Sequence, residues 1–224
     1  MSERVLLQVA LDLVDLPRAI AVAREAVAGG VDWVEAGTPL IKAEGLQAVR
    51  ELKAAFPDRL IFADMKTMDA GRVEVEYAAK AGADVVGVLG VASDSTVREC
   101  AEAARNYGCK LIVDMIEVAD PVARAQRAEE LGADYVGIHT AIDQQMRGEA
   151  PFETLRAVAD AVSIPVSAAG GISSTCTAEA TRPEAAARSA PHPPHVPGSM
   201  TSGTPREIRR PLLAEYGYAT RVVC

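Results

Sequence analysis

The chain has 224 residues, of which 49% are hydrophobic but only 4% aromatic, so one large domain with a core of Ala, Val, Ile and Leu is expected. A net charge of −8 with no basic patch argues against a nucleic-acid partner. No apolar run reaches the ~18 residues a membrane span needs, and the N-terminus runs straight into Val5–Leu11 without a signal-peptide pattern, so a cytoplasmic protein is expected.

Seven strand-like runs follow in order: 6–11, 31–36, 60–63, 84–89, 110–115, 134–138 and 164–168. Between them lie helical patterns at 16–28, 44–55, 73–81, 96–107, 122–131 and 152–161. Asp15 with Pro17, Ser93 with Asp94, and Asp120 with Pro121 give three of these helices their start signals. Strict alternation of strand and helix predicts a parallel sheet with right-handed crossovers.

A repeat refines that prediction. Gly30-Val31-Asp32, Gly82-Ala83-Asp84 and Gly132-Ala133-Asp134 each lead into an apolar strand. Asp32 and Asp84 are 52 residues apart, and Asp84 and Asp134 are 50 apart, so each repeat is a pair of βα units. This short helix-to-strand connection is one a barrel uses repeatedly. A doubly wound open sheet calls for a Gly-rich phosphate turn after the first strand, where this chain has Ala10-Leu11-Asp12-Leu13. The expected fold is a TIM-type (β/α)8 barrel, with seven βα units in residues 1–172.

Residues 173–224 break the pattern. They hold seven of the thirteen prolines, six Arg, four Glu, and no Lys or Asp. Pro191–Pro197 fits neither a helix nor an interior strand. The abrupt change reads as a different reading frame or a graft in place of the eighth βα unit. Only 209–218 and 221–223 have the character of a short helix and strand. The expectation is an irregular tail, an opened barrel with unprotected edges at its first and seventh strands, and weak or no activity.

Barrel chemistry sits at the C-terminal strand ends. Those positions carry Asp12, Glu35, Asp64, Lys66 and His139, and Gly170-Gly171 follows the seventh strand. Asp64, Lys66 and Asp69 form Asp-x-Lys-x-x-Asp at the end of the third strand. Side-chain alternation puts Asp64 and Lys66 on one side of it. Glu35 and Asp64 on neighbouring strands are oxygen donors suited to Mg²⁺, with Mn²⁺ the alternative; salt bridges to Lys66 are the other reading. His139 suits proton transfer, having a near-neutral side chain, and Gly170-Gly171 opens the expected barrel phosphate site. The four cysteines (Cys100, Cys109, Cys176, Cys224) show neither metal-ligand spacing nor a disulfide framework and read as free thiols.

Taken together, Ala10-Leu11-Asp12-Leu13, Glu35-Ala36-Gly37-Thr38-Pro39, Ala63–Gly71, Val88-Leu89-Gly90, Val113-Asp114-Met115, Ile138–Gln145 and Ala169–Ile172 resemble the orotidine-monophosphate decarboxylase superfamily, and within it the 3-hexulose-6-phosphate synthase family. The resemblance covers about residues 5–172 and stops at Ser173. It implies a Mg²⁺-dependent aldol condensation of ribulose 5-phosphate with formaldehyde, with His139 moving the C1 proton and Lys66 bonding the developing oxyanion. It further implies that Asp12 holds a substrate hydroxyl, and that Asp69 reaches the neighbouring subunit's site in a homodimer. The sister 3-keto-gulonate-6-phosphate decarboxylases place an Arg three residues after this His; here the position is Ile142, which favours the synthase. A catalytically dead subunit that only dimerises is the reading from another class.

Overall fold

The computed structural model describes residues 6–140, 152–170 and 220–223. In chain order the elements are β1 (Leu6–Leu11), α1 (Leu16–Ala28), β2 (Trp33–Ala36), α2 (Thr38–Glu44), α3 (Gln47–Ala55), β3 (Leu60–Thr67), α4 (Gly71–Lys80), β4 (Val85–Leu89), α5 (Asp94–Tyr107), β5 (Lys110–Asp114), α6 (Pro121–Glu130), β6 (Tyr135–His139), α7 (Phe152–Ala159), β7 (Val166–Ala169) and β8 (Thr220–Val223). Strands β1 to β7 pair in sequence order, each parallel to the next, and β8 closes the ring between β7 and β1.

Strands β1 to β7 bury both faces, which is why their runs are almost continuously apolar. One alternating set, including Val9, Val34, Ile61, Val86, Leu111, Val136 and Val166, packs outward against the helices. The other set fills the lower barrel interior with Trp33, Phe62, Val85 and Ile112, with Leu6 and Tyr135 against them. Trp33 and Tyr135 meet edge to face across this plug, with ring centroids 5.3 Å apart.

The Gly-x-Asp repeat has a physical explanation. Gly30, Gly82 and Gly132 adopt φ of 102°, 102° and 99°, a left-handed conformation that turns the chain from helix to strand. The Asp that follows then forms two bonds to one residue of the preceding strand. Asp84 donates its N–H to the Ile61 carbonyl at 2.8 Å, and its Oδ2 accepts the Ile61 N–H at 2.8 Å. Asp32 does the same with Leu7, and Asp134 with Leu111. Lys53 and Lys110 neutralise Asp84 and Asp134 at 2.9 Å and 2.7 Å.

Asp15, Ser93 and Asp120 cap α1, α5 and α6 as expected, each accepting a first-turn backbone N–H. The helix expected over 44–55 is α3, and an additional helix, α2, precedes it across a turn at Gly45 with φ 64°. Thr38-Pro39 starts the additional helix, Pro being compatible with a first turn whose N–H groups lack intrahelical partners.

The eighth position lacks a regular parallel strand, as expected, and differs from expectation only in that the ring is closed. Thr220–Val223 runs antiparallel to both neighbours, pairing Leu6 with Val223 and Val9 with Thr220 on one side and Ser167 with Val223 on the other. The unit is not a regular parallel βα, but the barrel is not open, and β1 and β7 do not end as unprotected edges. An edge strand offers N–H and C=O groups that pair with a partner of either direction, and the β-branched Thr220, Val222 and Val223 suit that role. The expected irregular segment Pro191–Pro197 and the short helix over 209–218 lie outside the described residues.

Candidate active site at the strand exits

Above the aromatic plug the interior positions are small or charged. Ala10, Gly87 and Gly137 leave room, while Glu35, Asp64, Asp114 and His139 bring charge. A Cβ on Gly87 would stand 3.2 Å from the Phe62 ring and 3.3 Å from Asp64 Oδ1, tighter than ordinary contact. Glycine there lets β4 pass close beside the Asp64 carboxylate.

Strand β3 does not remain regular through the Asp-x-Lys motif. Ala63 pairs with Val86 and Thr67 with Val88, so four steps on β3 oppose two on β4. Lys66 sits at the centre of this bulge with φ 49°, a left-handed conformation costly for a residue with a Cβ. Asp64 and Lys66 do meet on one side, as expected, but the bulge rather than a regular pleat aims them. Lys66 Nζ lies 2.5 Å from Asp64 Oδ2 and 3.1 Å from Asp114 Oδ2. His139 Nδ1 lies 3.2 Å from the same Asp114 oxygen. Four groups from β3, β5 and β6 thus form one chain: Asp64, Lys66, Asp114, His139.

Asp114 was not among the expected site residues, although it falls in a motif that matched the family. Its side chain is 8% exposed and joins the lysine to the histidine. The sequence signal was available: Asp114 ends β5, the strand between those carrying Gly87 and His139. Since a carboxylate oxygen accepts, Nδ1 of His139 is the donor of this pair, and Nε2 is the second ring nitrogen.

Glu35 is fully buried at the end of β2, and its Oε2 accepts a 2.6 Å hydrogen bond from Gln8 Nε2 on β1. Glu35 pairs with Phe62 in the ladder, which sets Asp64 one same-face step above it. Thr38, opening α2, donates its hydroxyl to the Asp64 carbonyl at 2.8 Å and ties the β2 exit to the β3 exit. Among the described residues no group of three or more His, Cys, Asp or Glu gathers as a metal set. Two buried carboxylates on adjacent strands nevertheless fit Mg²⁺ or Mn²⁺, which bind through one or two carboxylates and complete their shell with water and substrate oxygens. The ion-pair reading holds for Asp64, which Lys66 contacts directly.

Asp12 is exposed just beyond β1. Gly37 passes so close that a Cβ there would stand 2.8 Å from the Leu11 carbonyl and collide with Asp12 Oδ1. Asp69 lies apart from the charged chain. It is exposed, accepts the Ala70 N–H at 2.7 Å, and borders the cleft between α4 and α5 with Arg72, Thr96 and Glu99. Gly170 follows β7, buried, with φ 85°. Gly171 and Ile142 lie outside the described residues. Cys100 and Cys109 are free and buried, and burial pushes their thiols up to about 12 and about 11, away from nucleophilic use. Cys176 and Cys224 lie outside the described residues.

Comparison with known proteins gives the chain a family and its fold solved neighbours. Residues 6–186 match the Orotidine 5'-phosphate decarboxylase / HUMPS family. The chain is 45% identical over 166 residues to 3-hexulose-6-phosphate synthase of Mycobacterium gastri, covering 74% of this chain and 80% of that protein. It is 45% identical over 167 residues to 3-hexulose-6-phosphate synthase of Bacillus subtilis (strain 168), covering 74% and 79%. Among solved structures, 3-hexulose-6-phosphate synthase from Salmonella typhimurium superposes with a TM-score of 0.74 at 38% identity, covering 79% of this chain and 85% of that one. A 3-keto-L-gulonate-6-phosphate decarboxylase from Vibrio cholerae superposes at 0.67 with 30% identity, over 74% and 78%.

Proposed function

The chain belongs to the Orotidine 5'-phosphate decarboxylase / HUMPS family, and on that premise we propose that it is an aldehyde-lyase of the 3-hexulose-6-phosphate synthase type, joining ribulose 5-phosphate to formaldehyde and running the reverse cleavage. The observation that carries this reading is the Asp64–Lys66–Asp114–His139 chain at the strand exits. Identities of 45% to two synthases, against 30% to the decarboxylase, support the synthase over its sister.

The chemistry needs a base at C1 of the ketose and positive charge beside its oxygens. His139 Nε2 takes the C1 proton, while Asp114 holds Nδ1–H and stabilises the imidazolium. C1 then bonds to the formaldehyde carbon, and the same proton passes to the former carbonyl oxygen. Lys66 donates to the oxygen on which charge develops, and its two carboxylate partners fix its position. Glu35 and Asp64 would hold the divalent cation, which acts as a Lewis acid toward the ketose oxygens when bound. Asp12, beside Gly37, would hold a substrate hydroxyl.

Gly170-Gly171 supplies one half of a phosphate grip. No second Gly-Gly pair occurs between Ser173 and Cys224, so weak substrate binding and weak turnover are part of the proposal. The proposed assembly is a homodimer in which Asp69 completes the partner's site. Met68, Val73 and Tyr77, 53%, 43% and 55% exposed beside Asp69, give that loop and helix an apolar face suited to a second copy. The metal, the dimer and a cytoplasmic location belong to the same reading; among the described residues, no helix is long and apolar enough to cross a membrane.

Competing substrates test the activity. Purified protein with Mg²⁺ should consume formaldehyde with ribulose 5-phosphate faster than it releases CO₂ from 3-keto-gulonate 6-phosphate. Faster CO₂ release would assign it to the sister reaction.

A further inference from the structure

Arg124 lies in the first turn of α6, outside the charged chain just described, yet its side chain is only 16% exposed. All three of its nitrogens are engaged by one short loop, the segment leaving β4. Nε donates to the Gly90 carbonyl at 2.6 Å, and the two terminal nitrogens donate to the Ala92 carbonyl at 2.7 Å and to Asp94 Oδ1 at 2.5 Å. A planar fork reaches three acceptors at separate points along the loop in fixed directions, whereas an ammonium offers its three donors from a single nitrogen. Arg124 and then Arg127 hold the Asp94 carboxyl below the usual carboxylate range, in keeping with that engagement.

The loop rests directly on Asp114. Gly90 donates its N–H to the Asp114 carbonyl at 2.7 Å. A Cβ on Gly90 would stand 2.9 Å from that carbonyl oxygen and 2.9 Å from Val118, so a bare backbone is what lets the loop lie there. Asp114 is also held by the Ile116 N–H on its Oδ1 at 3.0 Å, which leaves Oδ2 to join Lys66 and His139. From the Arg124 guanidinium to the Asp114 backbone there is one intervening residue, bonded on both sides.

We propose that Arg124 is a positioning residue for the reaction: by clamping the Gly90–Asp94 loop onto the backbone of Asp114, it fixes the carboxylate that orients His139 and Lys66. The inference rests on the reading of Asp114 as part of the reacting centre. Arg127 is the internal control. It also contacts Asp94, but from outside and 44% exposed, with Glu130 as its other partner among the described residues.

The test compares Arg124→Met and Arg127→Met in the full chain. Misplacing a reacting group by about 1 Å can cost about 100-fold, so kcat of Arg124→Met should fall about 10- to 100-fold. KM for ribulose 5-phosphate should move less than about threefold, since the phosphate and hydroxyl contacts are untouched. Arg127→Met should keep both constants. In ¹⁵N NMR, the His139 ring signals, identified by their loss in His139→Asn, should shift in Arg124→Met and stay in Arg127→Met. Arg124→Lys, which keeps the charge beside Asp94 but loses the fork, should behave like the Met variant and serves if Met fails to fold. Wild-type kcat in Arg124→Lys, unmoved His139 signals in Arg124→Met, or equal shifts in Arg127→Met would each overturn the inference. A wild-type chain that does not condense formaldehyde would sink the proposed activity alone; the ring signals would still decide whether Arg124 positions the histidine.

Discussion

The two ends of the barrel use the same residue type for opposite purposes. At the entry end Asp32, Asp84 and Asp134 each spend both backbone and side-chain groups on one neighbouring residue, and lysines neutralise two of them. These carboxylates stitch adjacent strands at a distance from the site. At the exit end Asp64 and Asp114 face a lysine and a histidine across the barrel interior, next to a left-handed residue in a bulged strand. Backbone satisfaction marks the first group, and convergence of opposed charges with backbone strain marks the second. The difference teaches that an Asp in a barrel is assigned to stability or chemistry by which end of the strand it occupies and by what it bonds.

Substitutions can break this division. Glu35→Gln should have the largest effect, abolishing Mg²⁺-dependent turnover while circular dichroism remains that of the parent; full activity in Mg²⁺ would remove Glu35 from the metal pair. Asp114→Asn comes next. Weakening the carboxylate that holds Lys66 and His139 should lower kcat by about 100-fold, the scale of losing one preorganised electrostatic partner, with little change in thermal midpoint. A variant that kept wild-type kcat would make Asp114 a structural residue like those at the entry end. Asp84→Ala should affect turnover least. It leaves the Ile61 N–H and Lys53 without their carboxylate, so a urea titration should show a loss of about 1–3 kcal/mol, while kcat per folded molecule is unchanged. A fall in kcat at constant stability would erase the contrast between the two ends.

Much of this was legible in the sequence, for reasons that differ by residue. Strand and helix order followed from apolar runs between capping residues, because Asp15, Ser93 and Asp120 satisfy first-turn N–H groups whatever the surrounding fold. The repeat was visible because a left-handed turn needs Gly and the strand clamp needs Asp, two local requirements that leave fixed letters. The strand-exit positions of Glu35, Asp64, Lys66 and His139 were legible because barrel topology converts a strand end into a place. Less legible was anything set by pairing across distance. The β3 bulge depends on how β3 meets β4, so Lys66 carries no local sign of its left-handed backbone. Asp114 reads as one more strand-ending carboxylate until β3, β5 and β6 bring Lys66 and His139 to it. The antiparallel Thr220–Val223 was partly anticipated as a short strand, but its direction depends on the edges of β1 and β7, not on its own four residues.

The central claim, that the exit-end charges remove a proton from C1 of a ketose phosphate, is tested most directly without formaldehyde. Ribulose 5-phosphate incubated in D₂O with the protein and Mg²⁺ can be followed by ¹H NMR at C1. The account predicts enzyme-dependent loss of one C1 proton signal, abolished in His139→Asn and retained in Asp84→Ala. Exchange in His139→Asn at the parent's rate, or none in the parent while it condenses formaldehyde, would contradict it.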